Sequence, residues 1–105
     1  IMPGREGQPP TAHPTLMWGR NFMLSFIRMD GGSPFPHHFH PEDQLMLVVN
    51  GQMNEGIIDT WLPMRDMDVI WQPGGLVHAA DVAPGGVDGV DVFWPVRPDY
   101  MAMVQ

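Results

Sequence analysis

His38, His40 and Gln44, followed much later in the chain by His78, are residues whose types and spacing suit a bound metal ion. Side chains repeat every second residue along an extended strand, so His38 and His40 point the same way and both imidazoles face one cavity. Gln44 lies an even number of residues beyond His40, which returns its carbonyl oxygen to that face if the strand resumes after Pro41 without a bulge. His78 arrives from a neighbouring strand after the turn Pro73-Gly74-Gly75. Three imidazoles and one oxygen suit a borderline divalent ion such as zinc, iron, cobalt or nickel. Gln44 has two open roles: it ligates the ion directly, or it orients a histidine or a bound water beside it. As a neutral ligand it would leave the ion its full positive charge, which favours Lewis-acid polarisation of a substrate oxygen.

A second constellation lies in Asp91-Val92-Phe93-Trp94-Pro95-Val96-Arg97. Asp91, Phe93 and, across the interruption at Pro95, Arg97 share parity, so a carboxylate, an aromatic wall and a cation face one cavity. An inward acid and arginine in a small apolar barrel are costly unless they pair with each other or with a ligand. Either they close the barrel end as an Asp-Arg pair or they meet a substrate. Adjacent to His38, His37 points to the opposite face and is expected at the surface or an interface. Glu42 and Asp43 are expected as solvated turn acids, with the cavity mouth as the alternative for either, and His13 as an exposed residue. The methionines and Trp18, Trp61, Trp71 and Trp94 are expected in the core or at an interface between two copies.

These side chains must be positioned by strands. Alternation of large apolar with polar or small residues predicts strands over Thr15 to Trp18, Asn21 to Met29, Phe35 to His40, Gln44 to Val49 and Gln52 to Ile58. Trp61 to Met64, Asp68 to Gln72, Leu76 to Val82 and Val90 to Pro95 follow. Asn50-Gly51 is a hairpin signal, and Pro73-Gly74-Gly75 and Ala83-Pro84-Gly85-Gly86 are breakers. Residues 1–14, rich in proline and glycine, predict an extended N-terminal arm, and 15–105 a single domain. Asp99 to Gln105 is expected to end the chain as a short helical turn or tail. Short, evenly spaced strands and the absence of an internal repeat point to an all-β antiparallel double-sheet barrel.

Composition narrows the partners. A formal net charge of −7 over 105 residues makes nucleic acid a poor partner, because no basic patch displaces counterions from phosphates. An isolated arginine inside a pocket still allows an anionic small molecule. With no cysteine there are no disulfides or thiolate sites. No apolar run approaches the roughly 20 residues needed to span a bilayer, so the chain is expected to be soluble, cytoplasmic and without a membrane partner. It opens at Ile1 without an initiator methionine, which leaves a trimmed leader open. A core of this size is modest, and exposed tryptophan and methionine on short strands favour a homodimer.

The spacing resembles the two motifs of the cupin superfamily, G-x5-H-x-H-x3,4-E-x6-G and G-x5-P-x-G-x2-H. Gly32, His38, His40, Gln44 and Gly51 follow the first in register, with glutamine for the usual glutamate; Pro73, Gly75 and His78 follow the second. The second motif's leading glycine is replaced by Met67, a departure expected to loosen the turn before that strand. Within the cupins, H-x-H-x3-Q together with D-V-F-x-P-x-R at Asp91 to Arg97 is similar to the KdgF-like proteins of uronate catabolism. That resemblance implies a single-domain jelly-roll barrel holding one divalent transition metal ion (Ni, Zn, Fe or Mn) on His38, His40, Gln44 and His78. It implies ketonisation of 4,5-unsaturated monouronates, with Asp91 and Arg97 catalytic and Phe93 and Arg97 binding the sugar. The alternatives are a cupin dioxygenase and a non-catalytic module whose metal is structural or whose pocket senses a small molecule.

Overall fold

The computed structural model describes residues 12–104, which form β1 (Ala12–Trp18), β2 (Met23–Met29), β3 (Pro34–His38), β4 (Asp43–Ile57), β5 (Thr60–Arg65), β6 (Val69–Gln72), β7 (His78–Trp94) and α1 (Pro98–Val104). Up to Thr11 the expected N-terminal arm lies outside the described residues. Its final residues do not stay apart from the barrel: β1 starts at Ala12, which pairs with Met29 and is buried. His13 accordingly lies on β1, its Nε2 3.1 Å from the Asp30 carboxylate.

Two long strands organise everything else. β4 and β7 pair antiparallel along their whole length, from Asp43 opposite Trp94 to Ile57 opposite His78. The first half of β4 also pairs with β6 and the second half with β5, whereas β7 pairs with β3 near its start and β2 near its end. One wall is therefore β1-β2-β7-β4-β6 and the other β3-β7-β4-β5, the expected antiparallel all-β barrel. Between them pack Ile27, Met29, Met46, Val48, Met53, Met64, Val82 and Val87. Flexible methionine fills such irregular space well. A second cluster of Met23, Phe93 and Tyr100 seats α1 against the barrel, as the expected C-terminal helical turn.

The continuity of β4 and β7 differs from the breaks expected at Asn50-Gly51 and Ala83 to Gly86. Asn-Gly offers the positive φ that a hairpin needs, but a bulge needs it equally. Gly51 has φ of 113°, and a Cβ there would fall 2.3 Å from the Gly86 carbonyl oxygen, so only glycine lets the two long strands approach. The register shifts on either side of it, between Val48 and Asn50 and between Gly51 and Met53. Inward positions consequently change parity, from Gln44, Met46 and Val48 to Met53 and Glu55.

The turn at Met67 is tied rather than loosened. Asp66 Oδ1 accepts from Gly51 N at 2.8 Å, Asp68 Oδ2 from Arg65 N at 3.0 Å, and Met67 N donates to Val48 O at 2.8 Å. Met67 itself keeps the left-handed φ of 70° that suits glycine, with its side chain 72% exposed. A non-glycine residue there costs roughly 1–2 kcal/mol, partly offset by its lower unfolded-state entropy. Met67→Gly is therefore expected to stabilise the fold by about 0.5–1 kcal/mol, read as a higher urea midpoint at unchanged m-value. A lower midpoint would refute the strain.

Candidate metal centre

Each histidine reaches the centre by a different local device. β3 ends at His38, so His40 is not on the strand expected to carry both; it sits in the link before β4, where its Nδ1 meets Glu42 O at 3.0 Å. Gln44 is near the start of β4, so its approach comes from this turn and not from an uninterrupted strand. The Pro73-Gly74-Gly75 turn is stapled to the same link: Gly75 N donates to His40 O at 2.8 Å and Gly74 N to Asp43 Oδ1 at 2.6 Å. That staple delivers His78 as the first residue of β7, directly opposite His38.

The metal-binding atoms of His38, His40 and His78 lie within 4.8 Å of one another. His38 is exposed at the mouth, while His40 and His78 are buried. In all three rings Nδ1 faces a backbone carbonyl: Pro36 O at 2.8 Å, Glu42 O at 3.0 Å and Leu76 O at 2.9 Å. A carbonyl only accepts, so each neutral ring carries its proton on Nδ1 and offers the Nε2 lone pair. Burial, aided by its histidine neighbours and Arg97 against the Leu76 carbonyl, pushes His78 down to about 4; burial and then Arg97 lower His40.

Gln44 completes the donor set. Its Nε2 donates to Asp91 Oδ1 at 2.8 Å, which turns its Oε1 toward His40 Nε2 at 3.0 Å. With His40 Nδ1–H committed to Glu42, two lone pairs face each other across that distance. A cation held by both atoms resolves the conflict, and a proton on His40 is disfavoured by its lowered pKa. His38, His40, Gln44 and His78 therefore fit a borderline divalent ion, with Asp91 fixing the glutamine amide.

The downstream constellation is arranged differently from expectation. Asp91 pairs with Gln44, and Arg97 does not pair with it; Arg97 Nε and Nη2 donate to Asp99 at 3.2 and 2.7 Å. Since β7 ends at Trp94, Arg97 reaches inward from the segment before α1, not by strand parity. Its guanidinium lies 3.9 Å from the Tyr100 ring centroid and 5.0 Å from that of Phe93. Phe93 is fully buried behind His40, with ring centroids 5.8 Å apart, and the aromatic ring that the C-terminal segment places on the cavity lining is Tyr100. Glu42 is no solvated turn acid either: it is buried, its Oε1 3.6 Å from His40 Nδ1 and 3.8 Å from Arg97 Nε. His37 packs edge-on against exposed Trp61, away from the centre.

A cavity of about 330 Å³ opens beside the centre, and its lining includes His38, Gln44, His78, Asp91, Arg97 and Tyr100. Its lining also includes Glu55, which was not singled out from the sequence. The signal was present, since Glu55 shares parity with Met53 and Ile57 on a strand whose other face carries Gln52 and Asn54.

No protein-family model matches the chain, and no curated protein matches it. Solved structures do. KdgF from Halomonas sp. is 22% identical, with a TM-score of 0.81 over 87% of this chain and 84% of that one. An RmlC-like cupin from Shewanella frigidimarina is 23% identical, with a TM-score of 0.77 over 86% and 81%. Oxalate decarboxylase from Bacillus subtilis is 20% identical, with a TM-score of 0.70 over 76% of this chain and 23% of that one. The fold is the cupin barrel that the motifs led us to expect.

Proposed function

We propose that this cupin-fold chain is a metal-dependent isomerase converting 4,5-unsaturated monouronates to linear keto uronates. The observation that carries the proposal is one cavity whose lining brings three of the four donors, His38, Gln44 and His78, together with Asp91 and with Arg97, the one arginine or lysine on that lining. A monouronate offers the complementary groups, one carboxylate and several ring and hydroxyl oxygens. The similarity of His38, His40, Gln44 and Asp91 to Arg97 to the motifs of KdgF-like proteins supports the same chemistry, as does the likeness to Halomonas KdgF.

A divalent ion on His38, His40, Gln44 and His78 would supply Lewis-acid polarisation of a sugar oxygen. Arg97 holds the substrate carboxylate: Asp99 occupies Nε and Nη2, which leaves Nη1 for it, and the Tyr100 ring keeps the guanidinium flat. Burial pushes the Asp91 carboxyl up to about 6, against the Gln44 hydrogen bond and Arg97, so it is mostly ionised at neutral pH and close to an effective base. Asp91 takes the proton of the anomeric hydroxyl while the ring C1–O bond breaks. The electron pair passes to the ring oxygen, now the enolate oxygen of the C4=C5 unit. Protonation of C4 then gives the ketone, and nothing is oxidised or reduced.

The test is to incubate the metal-loaded protein with 4,5-unsaturated galacturonate or guluronate and follow loss of the conjugated chromophore beside the spontaneous rate. Acceleration that persists under strict anaerobiosis is expected. No acceleration with either sugar overturns the proposal, and dependence on dioxygen transfers it to an oxygenase. Arg97→Ala is expected to lower kcat/KM by roughly 30-fold or more, the low end for truncating one partner of a buried charge pair. Its metal content should stay at the wild-type level; a fall in metal content would make Arg97 structural.

A further inference from the structure

Glu55 is a buried acid to which the chemistry above gives no task. It turns inward because Gly51 shifts the register of β4, and it is 4% exposed. Its one hydrogen-bond partner among the described residues is Gln72 on β6, whose Nε2 donates to Glu55 Oε1 at 2.5 Å. Gln72 is itself 1% exposed and its Oε1 has no partner among the described residues, so the pair is not a closed network there. A carboxylate with a single neutral donor is poorly compensated for the loss of water. Burial, with Asp91 adding to it against the Gln72 hydrogen bond, pushes Glu55 up to about 8. Because Gln72 occupies Oε1, the proton sits on Oε2. The other titratable and charged groups on the cavity lining are His38 on β3, His78 and Asp91 on β7, and Arg97, Asp99 and Tyr100 from the C-terminal segment.

We propose that Glu55 is the acid that delivers the proton to C4 of the ring-opened sugar. The inference rests on the uronate reading. The Glu55 Oε2 proton forms the new C4–H bond with the C4=C5 electron pair, the enolate oxygen becomes the C5 carbonyl, and Glu55 is left ionised. Asp91, which holds the anomeric proton, returns it to Glu55 through the cavity, and both acids regain their starting states.

The reaction run in D2O and followed by NMR tests this. Wild-type protein is expected to place one deuterium at C4 in a single configuration. Glu55→Gln keeps an acceptor for Gln72 but has no proton to give; it is expected to slow formation of the keto product by roughly 10²-fold. Its product should carry deuterium in both C4 configurations, because the enol ketonises without a directed donor, while metal content is unchanged. Glu55→Asp retains an acid and should preserve the single configuration at a reduced rate. Wild-type rate and a single configuration in Glu55→Gln would overturn the role of Glu55 and leave the uronate reading intact, as would mixed configurations from Glu55→Asp. A wild-type protein that accelerates neither sugar overturns both.

Discussion

Replacing His78 by alanine is expected to lower affinity for divalent metal by more than 100-fold, beyond the 10–100-fold typical of losing an outer partner of a ligand. His78 is 5% exposed and its Nδ1 is spent on Leu76 O, so its ring has one direction in which to present a lone pair. Removing it leaves His38, His40 and Gln44 around a gap that no other histidine or carboxylate of the cluster fills among the described residues. Metal analysis after gel filtration reads the loss directly. Thermal unfolding reads it independently, because a ligand at 1,000 times its Kd stabilises the folded state by about 4.1 kcal/mol. For a domain of this size that raises Tm by roughly 15 °C or more in the wild type. At the same metal concentration a site 100-fold weaker or more is stabilised by about 1.4 kcal/mol at most, so the variant's Tm should rise by about a third of the wild-type shift or less. Wild-type stoichiometry and affinity in His78→Ala would refute the assignment.

Stability should fall as pH rises from about 4.5 to about 8, and Glu55 is the group responsible. Its carboxyl is pushed up to about 8 in the folded protein from the ordinary 4.5. Below 4.5 it is protonated in both states, and its contribution to stability is fully present. Between the two values the unfolded chain releases the proton and the folded chain keeps it, so unfolding becomes easier with each unit of pH until the folded group titrates. At about 1.4 kcal/mol per unit, the loss across the window from 4.5 to about 8 is on the order of 5 kcal/mol. Asp91, raised to about 6, has the same sign over a lower range, and His78, lowered to about 4, has the opposite sign between 4 and 6.5. His40, also lowered, acts in the same direction as His78, and comparison with Glu55→Gln isolates the Glu55 share because these groups all remain. The variant's advantage in urea midpoint should be smallest near pH 4.5 and largest near pH 8. A gap that does not change with pH would refute a protonated Glu55.

An acid that costs this much stability is in keeping with a functional site, where stability and activity pull apart. Glutamine at position 55 would give the orphaned Gln72 Oε1 a donor and remove the ionisation penalty. The geometry thus predicts that the variant better suited to folding is the one less suited to the proposed proton transfer.

Much of the centre was legible in the chain. His-x-His, the even step to Gln44 and the Pro-x-Gly-x2-His spacing pick out the residues that converge, because ligand identity and turn chemistry are local properties. The route to convergence was not legible. His40 and Gln44 meet through the link between β3 and β4, and Arg97 enters after the end of β7, so strand parity named these residues without supplying the path.

By itself the sequence determined the all-β class, the donor types that converge at the centre and the Pro73-Gly74-Gly75 turn, each written in residues a few positions apart. The tertiary structure alone decided partnership: Asp91 with Gln44, Arg97 with Asp99, Phe93 behind His40 and Tyr100 beside the cavity. The physical reason lies at Gly51. Asn50-Gly51 permits positive φ and is compatible with a hairpin or a bulge, and only the passage of β7 alongside, with Gly86 against Gly51, selects the bulge. That one-residue shift in register turned Glu55 into the cavity, a placement that the alternation within β4 allowed and the bulge selected.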